Sequence, residues 1–482
     1  MKMLINGKWV DAADKGTIEV INAGTGELID TVPSATPADV NRAVKVACEG
    51  REIMARTTAH QRFEFLRRSA ELIRKNADEL AVLLAKENGK PIRQTRVEIE
   101  VTARLLEDFG EEAKRIRGET MTMDDVPGCE GQLAITLREP LGIVAAIVPF
   151  NYPAELFAHK AGPAIAAGNA LITKPPSDCP LTLLRIAELM IKAGIPAEAY
   201  QMLTGPGSLV GMELARHPEV AMISFTGHTD TGKAIMAEAS NLLKRVSFEL
   251  GGNDPILVFE DADLDQATEA VIDGRLGRGN GQICCAIKRI IVQDAVAWEF
   301  TDLLLEKTKR LKMGDQLLED TDVGPLTSEE AAVRVEKSIE KTIEEGAKCL
   351  IGGKRVDRTF IEPTILTGVT PDMTVAQEEV FGPVAPIMVF STEEEAVDIA
   401  NDTIYGLQAG VFTKDVNRAF RVARRLQAGG VVLNWGTCWR PGNVPFGGYK
   451  QSGLGREGVY HTIEEMTELK TIILNMVDRR AG

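Results

Sequence analysis

Long apolar runs and a surplus of basic residues are both missing from this sequence of 482 residues. No apolar run reaches the roughly 18 residues that a membrane-spanning helix needs, so no transmembrane segment is expected. The net charge of −15 at pH 7 argues against nucleic acid or an anionic membrane surface as a partner, because both require a basic face. An anionic small molecule is not excluded, since local arginines can override the overall charge within a cleft.

Cysteine and histidine are also scarce, with seven and five residues respectively. The sequence has no CxxC motif and no Cys/His cluster with metal-ligand spacing, so no metal site is expected. An odd number of cysteines without framework spacing is typical of a reducing compartment. The start, MKMLINGKWV, turns polar too early for a secretory signal peptide. These observations together predict a cytoplasmic protein.

Composition and apolar patterning predict an α/β protein with more than one domain. Apolar residues make up 44% of the chain and charged residues 26%, which is typical of a globular protein. The length exceeds what one hydrophobic core usually serves. From residue 141, five apolar runs recur about 22 to 30 residues apart, a spacing that predicts a parallel, doubly wound sheet. A second series from 255 to about 434 predicts a second α/β domain with its own sheet.

Two outlying strands fit neither series. One is the alternating stretch at about 132 to 138, and the other is TIILNMV near the end of the chain. Each would leave an unpaired edge in a monomer, which is an aggregation hazard. We therefore expect a small β-arm that pairs with another subunit.

One stretch reads RLGRGNGQICCAIKR and carries two adjacent cysteines, Cys284 and Cys285. Glycines let the backbone approach a ligand closely. A thiol at this place, with Arg278, Lys288 and Arg289 nearby, is a candidate for a lowered pKa and nucleophilic attack. The alternative is that both cysteines are buried and pack as small hydrophobic residues. The stretch alone does not decide between these interpretations.

Seven motifs, taken together, decide whether the cysteine pair is reactive or structural. They are PFNYP (149–153), TKPPS (173–177), FTGHTDTG (225–232), FELGGNDP (248–255), GQICCA (281–286), EEVFGPV (378–384) and PFGGYKQSGLGREG (445–458). Their order and spacing resemble the aldehyde dehydrogenase superfamily across essentially the whole chain. The resemblance implies a Rossmann-like NAD(P)-binding domain, a catalytic domain and an oligomerisation arm. We assign these to 1–118 with 141–248, to 249–463, and to 119–140 with 464–482.

The resemblance also assigns the catalytic residues. Cys284 matches the nucleophile of the family, which leaves Cys285 as a packing neighbour. Asn151 matches the donor that, with the Cys284 backbone N–H, stabilises the oxyanion; its alternative role is that of a turn residue. Glu249 matches the general base that activates water to cleave the thioester. Relatives that pass the acyl group to coenzyme A generally lack this glutamate, so hydrolysis to a free acid is favoured.

Cofactor contacts follow from the same resemblance. Lys174 matches the lysine that binds the adenosine ribose, and Glu379 matches the residue that holds the nicotinamide ribose, with Phe381 beside it. Further cofactor positions are Phe150, Gly205, Gly207 and Gly227.

Two cofactor positions depart from the pattern of many relatives. Ser177 stands where many NAD-preferring members carry a glutamate. A carboxylate there would repel a 2′-phosphate, whereas a hydroxyl tolerates it, so NADP as well as NAD is expected. His228 replaces a common serine next to the pyrophosphate.

The substrate is expected to carry an anion. His159 lies where many relatives with apolar substrates have a tryptophan, and Arg278 lies where a semialdehyde-oxidising branch binds the substrate carboxylate. Arg440 falls in a loop that caps the substrate mouth in relatives. Arg104 resembles an arginine that relatives with anionic substrates direct into the same mouth. Each arginine could instead be structural; for Arg104 the alternative is a pairing with one of its own helix carboxylates, Glu100 or Asp108.

The sequence therefore predicts a small aldehyde with a distal anionic group, because a tunnel for apolar aldehydes would not tolerate unpaired buried charge. Candidates are succinate semialdehyde, phosphonoacetaldehyde and sulfo-aldehydes, with glyceraldehyde 3-phosphate ranked behind them. The alternatives are a coenzyme A-acylating enzyme, a lactaldehyde-type substrate and a non-enzymatic scaffold. A homodimer or homotetramer is expected.

Overall fold

The structure of the protein, a computed structural model, describes residues 1–475. The predicted arm extends to residue 482, and its positions 476–482 lie outside the described residues. None of the helices within residues 1–475 is long and apolar enough to cross a membrane.

The first 140 residues combine short strands with four long helices. These elements are β1 (Met3–Ile5), β2 (Lys8–Val10), β3 (Thr17–Ile21), β4 (Leu28–Pro33), α1 (Pro37–Ala55), α2 (Ala59–Lys75), α3 (Ala77–Asn88), α4 (Ile92–Ala113), β5 (Thr120–Thr122) and β6 (Gln132–Pro140). A capping box starts α1, since Thr36 and Asp39 accept each other's backbone N–H. On α4 the buried positions follow a spacing of three and four, so that one face of this helix packs on the core and the other faces solvent.

Strands and helices then alternate. The elements up to residue 249 are β7 (Ile143–Ile147), α5 (Pro153–Ala166), β8 (Ala170–Lys174), α6 (Leu181–Lys192), β9 (Tyr200–Met202), α7 (Met212–Arg216), β10 (Met222–Thr226), α8 (Thr229–Ser240) and β11 (Arg245–Glu249). The first part of the second series is β12 (Asp254–Val258), α9 (Leu264–Val271), β13 (Ile287–Gln293), α10 (Asp294–Thr308), α11 (Glu329–Glu344), β14 (Lys348–Ile351), β15 (Arg355–Asp357), β16 (Phe360–Ile361) and β17 (Thr364–Thr367).

The chain continues with α12 (Thr374–Gln377), β18 (Val384–Phe390), α13 (Glu393–Asn401), β19 (Gln408–Phe412), α14 (Val416–Arg425), β20 (Gly430–Leu433), β21 (Gly453–Leu454), α15 (Val459–Glu465) and β22 (Thr467–Asn475).

The first large sheet has the order β2-β1-β9-β8-β7-β10-β11-β21. Its five central strands are parallel, as the sequence predicts, and β1 and β21 join its edges antiparallel. Helices cover both faces, because alternate residues of β7 enter two different apolar clusters: Val144 and Ala146 in one, Ile143 and Ala145 in the other. This is the doubly wound arrangement.

The second large sheet has the order β14-β17-β18-β13-β12-β19-β20. Its pairings are parallel except between β14 and β17. The predicted fold class, with two α/β domains and a separate β-arm, is confirmed. Residues 453–465, which we assign to the catalytic domain and the start of the arm, contact the first domain. In this stretch β21 pairs with β11, and α15 packs on α4 and α5.

The arm is a three-stranded sheet with the order β22-β6-β5. The two outlying strands of the sequence pair antiparallel with each other, from Thr467 opposite Pro140 to Asn475 opposite Gln132. Along residues 467–474, β22 has no neighbouring strand on its other side within the described part of the chain.

Candidate active site

The ends of four neighbouring parallel strands place the motif residues at one edge of the first sheet. Asn151 follows β7, Lys174 ends β8, Gly227 follows β10 and Glu249 ends β11. Since the carboxyl ends of parallel strands meet at the same edge, motifs spread over 100 residues of sequence come together there.

A tight turn in the second domain presents the predicted nucleophile to that edge. Gly279, Asn280 and Gly281 have φ values of 56°, 54° and 72°, a left-handed run that glycine tolerates best. The Asn280 side chain holds the turn: its amide donates to the carbonyls of Gly89 (3.1 Å) and Pro325 (2.9 Å) and accepts from Gly324 N (2.8 Å). Cys284 follows this turn.

Cys284 and Asn151 line one cavity of about 870 Å³ between the two domains. Arg104, Arg278 and Arg440 lie on the same wall. A carbonyl compound in this cavity can therefore contact a thiol, an amide donor and cations. Glu249 does not line this cavity but interacts with Cys284, so the predicted catalytic and substrate residues are brought together, with one exception described below.

The expected lowering of the Cys284 pKa is wrong. A hydrogen bond with Cys285, burial, and the nearby charge of Glu249 raise the pKa of Cys284 well above its ordinary value. Lys288 acts in the lowering direction, but its ammonium is occupied by the carbonyls of Ile283 and Cys284. The other expected cation, Arg289, points away and donates to three carbonyls, those of Asn253, Ile399 and Ala400.

Glu249 belongs to a buried group of charges. Its two oxygens have no hydrogen-bond partner among the described residues. Burial and the charge of Glu457 raise the pKa of Glu249 to about 7, a value suited to a general base near neutral pH. Glu457 itself is held by Lys160 at 2.9 Å and by Arg440; burial alone would raise the pKa of Glu457, but these two cations bring it well below its ordinary value.

The four predicted substrate residues differ in how they are engaged. Arg278 pairs with Asp273 at 2.6 Å, and Arg440 pairs with Glu457 and stacks on a phenylalanine ring. Arg104 makes no direct ion pair among the described residues: Glu100, one of its two possible partners, binds Arg74 instead, and the other, Asp108, interacts with Arg104 only through its charge, without a salt bridge. The exposed guanidinium of Arg104 is therefore the available cation on the wall.

His159 is the exception. It is 2% exposed and packs edge-on against Phe109, and it is not among the residues that line the cavity. Burial and the charge of Arg440 lower the pKa of His159 to about 3, so the ring stays neutral. The prediction that His159 contacts the substrate does not agree with this position, because the residue faces the interior of the first domain.

The predicted cofactor positions form a second cluster. Lys174 donates to the Ser177 hydroxyl at 3.2 Å, and that hydroxyl donates to Gly205 O at 3.0 Å. Burial lowers the pKa of Lys174 to about 8. At Gly205, with φ of 150°, a Cβ would lie 2.8 Å from Val210, and at Gly227 a Cβ would lie 2.5 Å from the Phe225 ring. Bare backbone beside a lysine and a hydroxyl fits the phosphates and ribose of a dinucleotide.

The residues expected near the nicotinamide also meet. Phe150 and Phe381 stack edge-to-face with ring centres 5.8 Å apart. Glu379 accepts from Gly252 N at 3.1 Å and pairs with Lys288 at 3.1 Å. His228 is mostly exposed and caps α8, accepting from Asp230 N at 3.3 Å.

Sequence reasoning missed several residues that build the site. Lys160 and Glu457 form a buried ion pair next to the assigned residues, and Asn280 fixes the nucleophile turn. Glu457 stands inside a quoted motif, and a non-glycine residue between two glycines is a signal for Asn280. Among residues 1–475, no group of three or more His, Cys, Asp or Glu side chains is arranged to hold a metal ion.

Comparison with known proteins gives concordant results. Residues 9–472 match the Aldehyde dehydrogenase family. The chain is 42% identical to glutarate-semialdehyde dehydrogenase of Pseudomonas putida, covering 98% of this chain and 97% of that protein. It is 41% identical to 3-sulfolactaldehyde dehydrogenase of Priestia megaterium, covering 98% of each.

A solved structure shares the fold over nearly the full length. Glyceraldehyde-3-phosphate dehydrogenase from Methanocaldococcus jannaschii, complexed with NADP, superposes with a TM-score of 0.91 at 41% identity, covering 95% of this chain and 99% of that one. The Cys284 thiol, the Asn151 amide and the buried Glu249 carboxylate of this protein are therefore placed within a fold that the two proteins share. The chain belongs to the aldehyde dehydrogenase family.

Proposed function

We propose that this protein oxidises a small aldehyde with a distal anionic group to the free carboxylic acid, with NAD or NADP as the cofactor. The observation that supports an anionic substrate is the set of charged side chains that line the cavity. Four arginines and five acidic side chains line the cavity. All but two of these nine residues belong to ion pairs, which are Arg93–Asp322, Arg278–Asp273, Arg440–Glu457, Lys90–Glu98 and Lys307–Glu269.

The remaining two residues are Glu155 and Arg104. Burial raises the pKa of Glu155, while the charge of Arg440 acts to lower it. Arg104 forms no direct ion pair among the described residues, although its charge acts on Asp108. A guanidinium binds carboxylate, phosphate or sulfonate through paired hydrogen bonds. The relatives that act on semialdehydes and a sulfo-aldehyde support the same class.

The chemistry follows from three side chains. Cys284 gives up its thiol proton to water, its sulfur bonds to the aldehyde carbon, and the oxygen that becomes negative accepts from the Asn151 amide. Loss of a hydride from that carbon then re-forms the carbonyl as a thioester on Cys284. When bound, NAD or NADP supplies the hydride acceptor, with Lys174 and Glu379 placed to hold its riboses. Glu249 then takes a proton from the water that cleaves the thioester, which releases the acid and returns the thiol.

A substrate panel tests the proposal. The purified protein is assayed with carboxylated, phosphorylated and sulfonated aldehydes and with propanal, each with NAD and with NADP. We expect kcat/KM for at least one anionic aldehyde to exceed that for propanal by about 10- to 100-fold, the size of a charged hydrogen bond. A preference for propanal over every anionic aldehyde would refute the anionic class. Product formation only with coenzyme A would refute the role of Glu249 and favour the acylating alternative.

Removing the free cation should weaken binding of the anion selectively. Arg104→Gln is expected to raise KM for the preferred anionic aldehyde about 10-fold while leaving KM for propanal within about 2-fold, because only the anion meets the guanidinium. Arg96→Gln is the matched control: it lies on the same helix, pairs with Glu319 and is absent from the cavity wall. Equal effects of Arg104→Gln on both aldehydes would mean that Arg104 is structural.

A carboxylate at position 177 should change cofactor choice. Ser177→Glu is expected to raise KM for NADP by about 10-fold or more with a smaller change for NAD, since like charges at this range repel. Ser177→Ala separates loss of the hydroxyl from gain of charge and should affect both cofactors alike. If Ser177→Glu leaves the NADP-to-NAD ratio unchanged, Ser177 does not face the 2′ position.

We further propose a homodimer or homotetramer in a reducing compartment such as the cytoplasm. The arm supports the first point, since β22 exposes Leu469, Ile472 and Ile473 by 54%, 43% and 64% and presents an open edge. The seven cysteines, all free, support the second. Sedimentation equilibrium gives the subunit number.

A further inference from the structure

A buried ion pair outside the assigned catalytic set touches the segment that carries Asn151. Lys90 lies between α3 and α4, and Glu98 lies two turns into α4. Their side chains are 2% and 0% exposed and form a direct salt bridge. Taking two charges out of water is costly, and such a pair often stabilises a fold no better than apolar residues would. The role of this ion pair is therefore better judged from the residues it contacts than from any stability it adds.

Besides pairing with Glu98, Lys90 contacts Asn151 and its neighbour Tyr152. Its ammonium donates to the backbone oxygen of Asn151 at 2.7 Å and lies 3.8 Å from the centre of the Tyr152 ring. A charged donor on this carbonyl restricts the peptide that follows Asn151, and the aromatic face accepts the same cation. One ammonium thus fixes two consecutive residues of the PFNYP motif.

Glu98 fixes the residues that come next. Helix α5 begins at Pro153 and has no side-chain cap of its own. One oxygen of Glu98 accepts from Ala154 N at 2.9 Å and from Glu155 N at 3.4 Å, so a residue of α4 supplies the cap. The other oxygen binds Lys90. The segment 151–155 is therefore held from both ends by one ion pair.

We propose that Lys90 and Glu98 are positioning residues that hold the Asn151 amide where the oxyanion forms. This inference rests on the oxyanion role in the proposed function. An oxyanion donor works only from a fixed place: losing one costs about 10²- to 10³-fold in kcat, and a displacement of about 1 Å can cost 10²-fold. The two residues touch no reacting atom in this arrangement and act through the peptide of Asn151.

The test is a cycle of variants on the full-length protein, assayed with whichever aldehyde the wild type oxidises. Lys90→Met combined with Glu98→Gln removes the pair without leaving a lone buried charge. We expect this double variant to lower kcat about 10- to 100-fold with KM changed by less than about 3-fold. In an Asn151→Ala background the same pair of changes should lower kcat by less than about 3-fold, because the donor it positions is gone.

Glu87→Gln is the matched control. Glu87 is also a fully buried carboxylate that caps a neighbouring helix, accepting from Leu181 N and Thr182 N at 2.8 Å each. Glu87→Gln should leave kcat within about 2-fold even if it lowers the melting temperature, because the helix it caps does not carry Asn151. Glu98→Asp, which keeps a carboxylate beside Lys90 but shortens the side chain, covers the case in which the double variant fails to fold, and its kcat should fall about 10-fold and not fall further in the Asn151→Ala background.

The outcomes distinguish failure of the positioning inference from failure of the proposed function. If Asn151→Ala lowers kcat but the Lys90 and Glu98 changes do not, or if they cost as much without Asn151 as with it, the positioning inference is overturned and the proposed function stands. If Asn151→Ala leaves kcat unchanged, the oxyanion role in the proposed function falls and this inference falls with it.

Discussion

Cys284→Ala is expected to lower kcat by about 10⁴-fold or more, the scale seen when a covalent nucleophile is removed, whereas Cys285→Ala should keep most of the activity. The reason is exposure: both cysteines line the cavity, but Cys284 is partly exposed, whereas Cys285 is 5% exposed and belongs to the core of a small apolar cluster. Reduced cofactor formed per second, with the preferred aldehyde in excess, is the measurement.

Cys285→Ala also serves as the matched control. Because the hydrogen bond with Cys285 is the largest cause of the raised Cys284 pKa, this variant should react faster with iodoacetamide at neutral pH than the wild type. Comparable loss of turnover in both variants would show that the nucleophile is misassigned or that both cysteines are structural.

Glu249→Gln should separate the two halves of the reaction. In the proposed mechanism Glu249 acts on the water that cleaves the thioester and not on the acylation of Cys284. We expect one equivalent of reduced cofactor to form per active site in a rapid burst, followed by turnover about 10²- to 10⁴-fold slower, the usual contribution of a general base. Rapid mixing followed by steady-state measurement on the same sample gives both numbers.

The pH dependence checks the same residue. A general base acts in its deprotonated form, and the pKa of Glu249 is raised to about 7. Thioester hydrolysis in the wild type should therefore be slow below pH 7, rise through about pH 7 and level off above it; in Glu249→Gln this rise should be absent. A variant with no burst, or with an unchanged pH profile, would assign the base to another group.

Much of the fold is predictable because parallel strands covered on both faces must be continuously apolar. The runs that begin near 141 all became strands of the first sheet, and β7, β8 and β10 are buried along their whole length. The two-residue strand β21 is too short to leave a pattern. Its pairing with β11 depends on the glycine-rich loop that precedes it, and no local periodicity reports that contact.

The candidate site, like the fold, is only partly predictable from the sequence. Motif order is enough to name Cys284, Asn151 and Glu249, since each stands at the end of a strand or a turn with its own signature. The state of each charge is not predictable, because it depends on partners distant in sequence. Arg440 looks like a substrate residue until Glu457 is seen beside it. Lys90 lies 61 residues before the carbonyl it binds.

The Asn280 amide described above is a mechanical link between the two domains. It donates one bond to Gly89 in the first domain and another to Pro325 in the second, and it accepts a third from Gly324. An amide that bridges two bodies cannot keep both bonds when they separate. The rest position of Cys284 is thus a property of the closed cleft and not of either domain alone. Gln94 of α4 adds two further bonds to this turn, donating to Gly277 O and accepting from Gly279 N. Any motion that opens the cleft far enough to break these bonds also releases the nucleophile from its place, so domain opening and readiness for attack are coupled through Asn280 and Gln94.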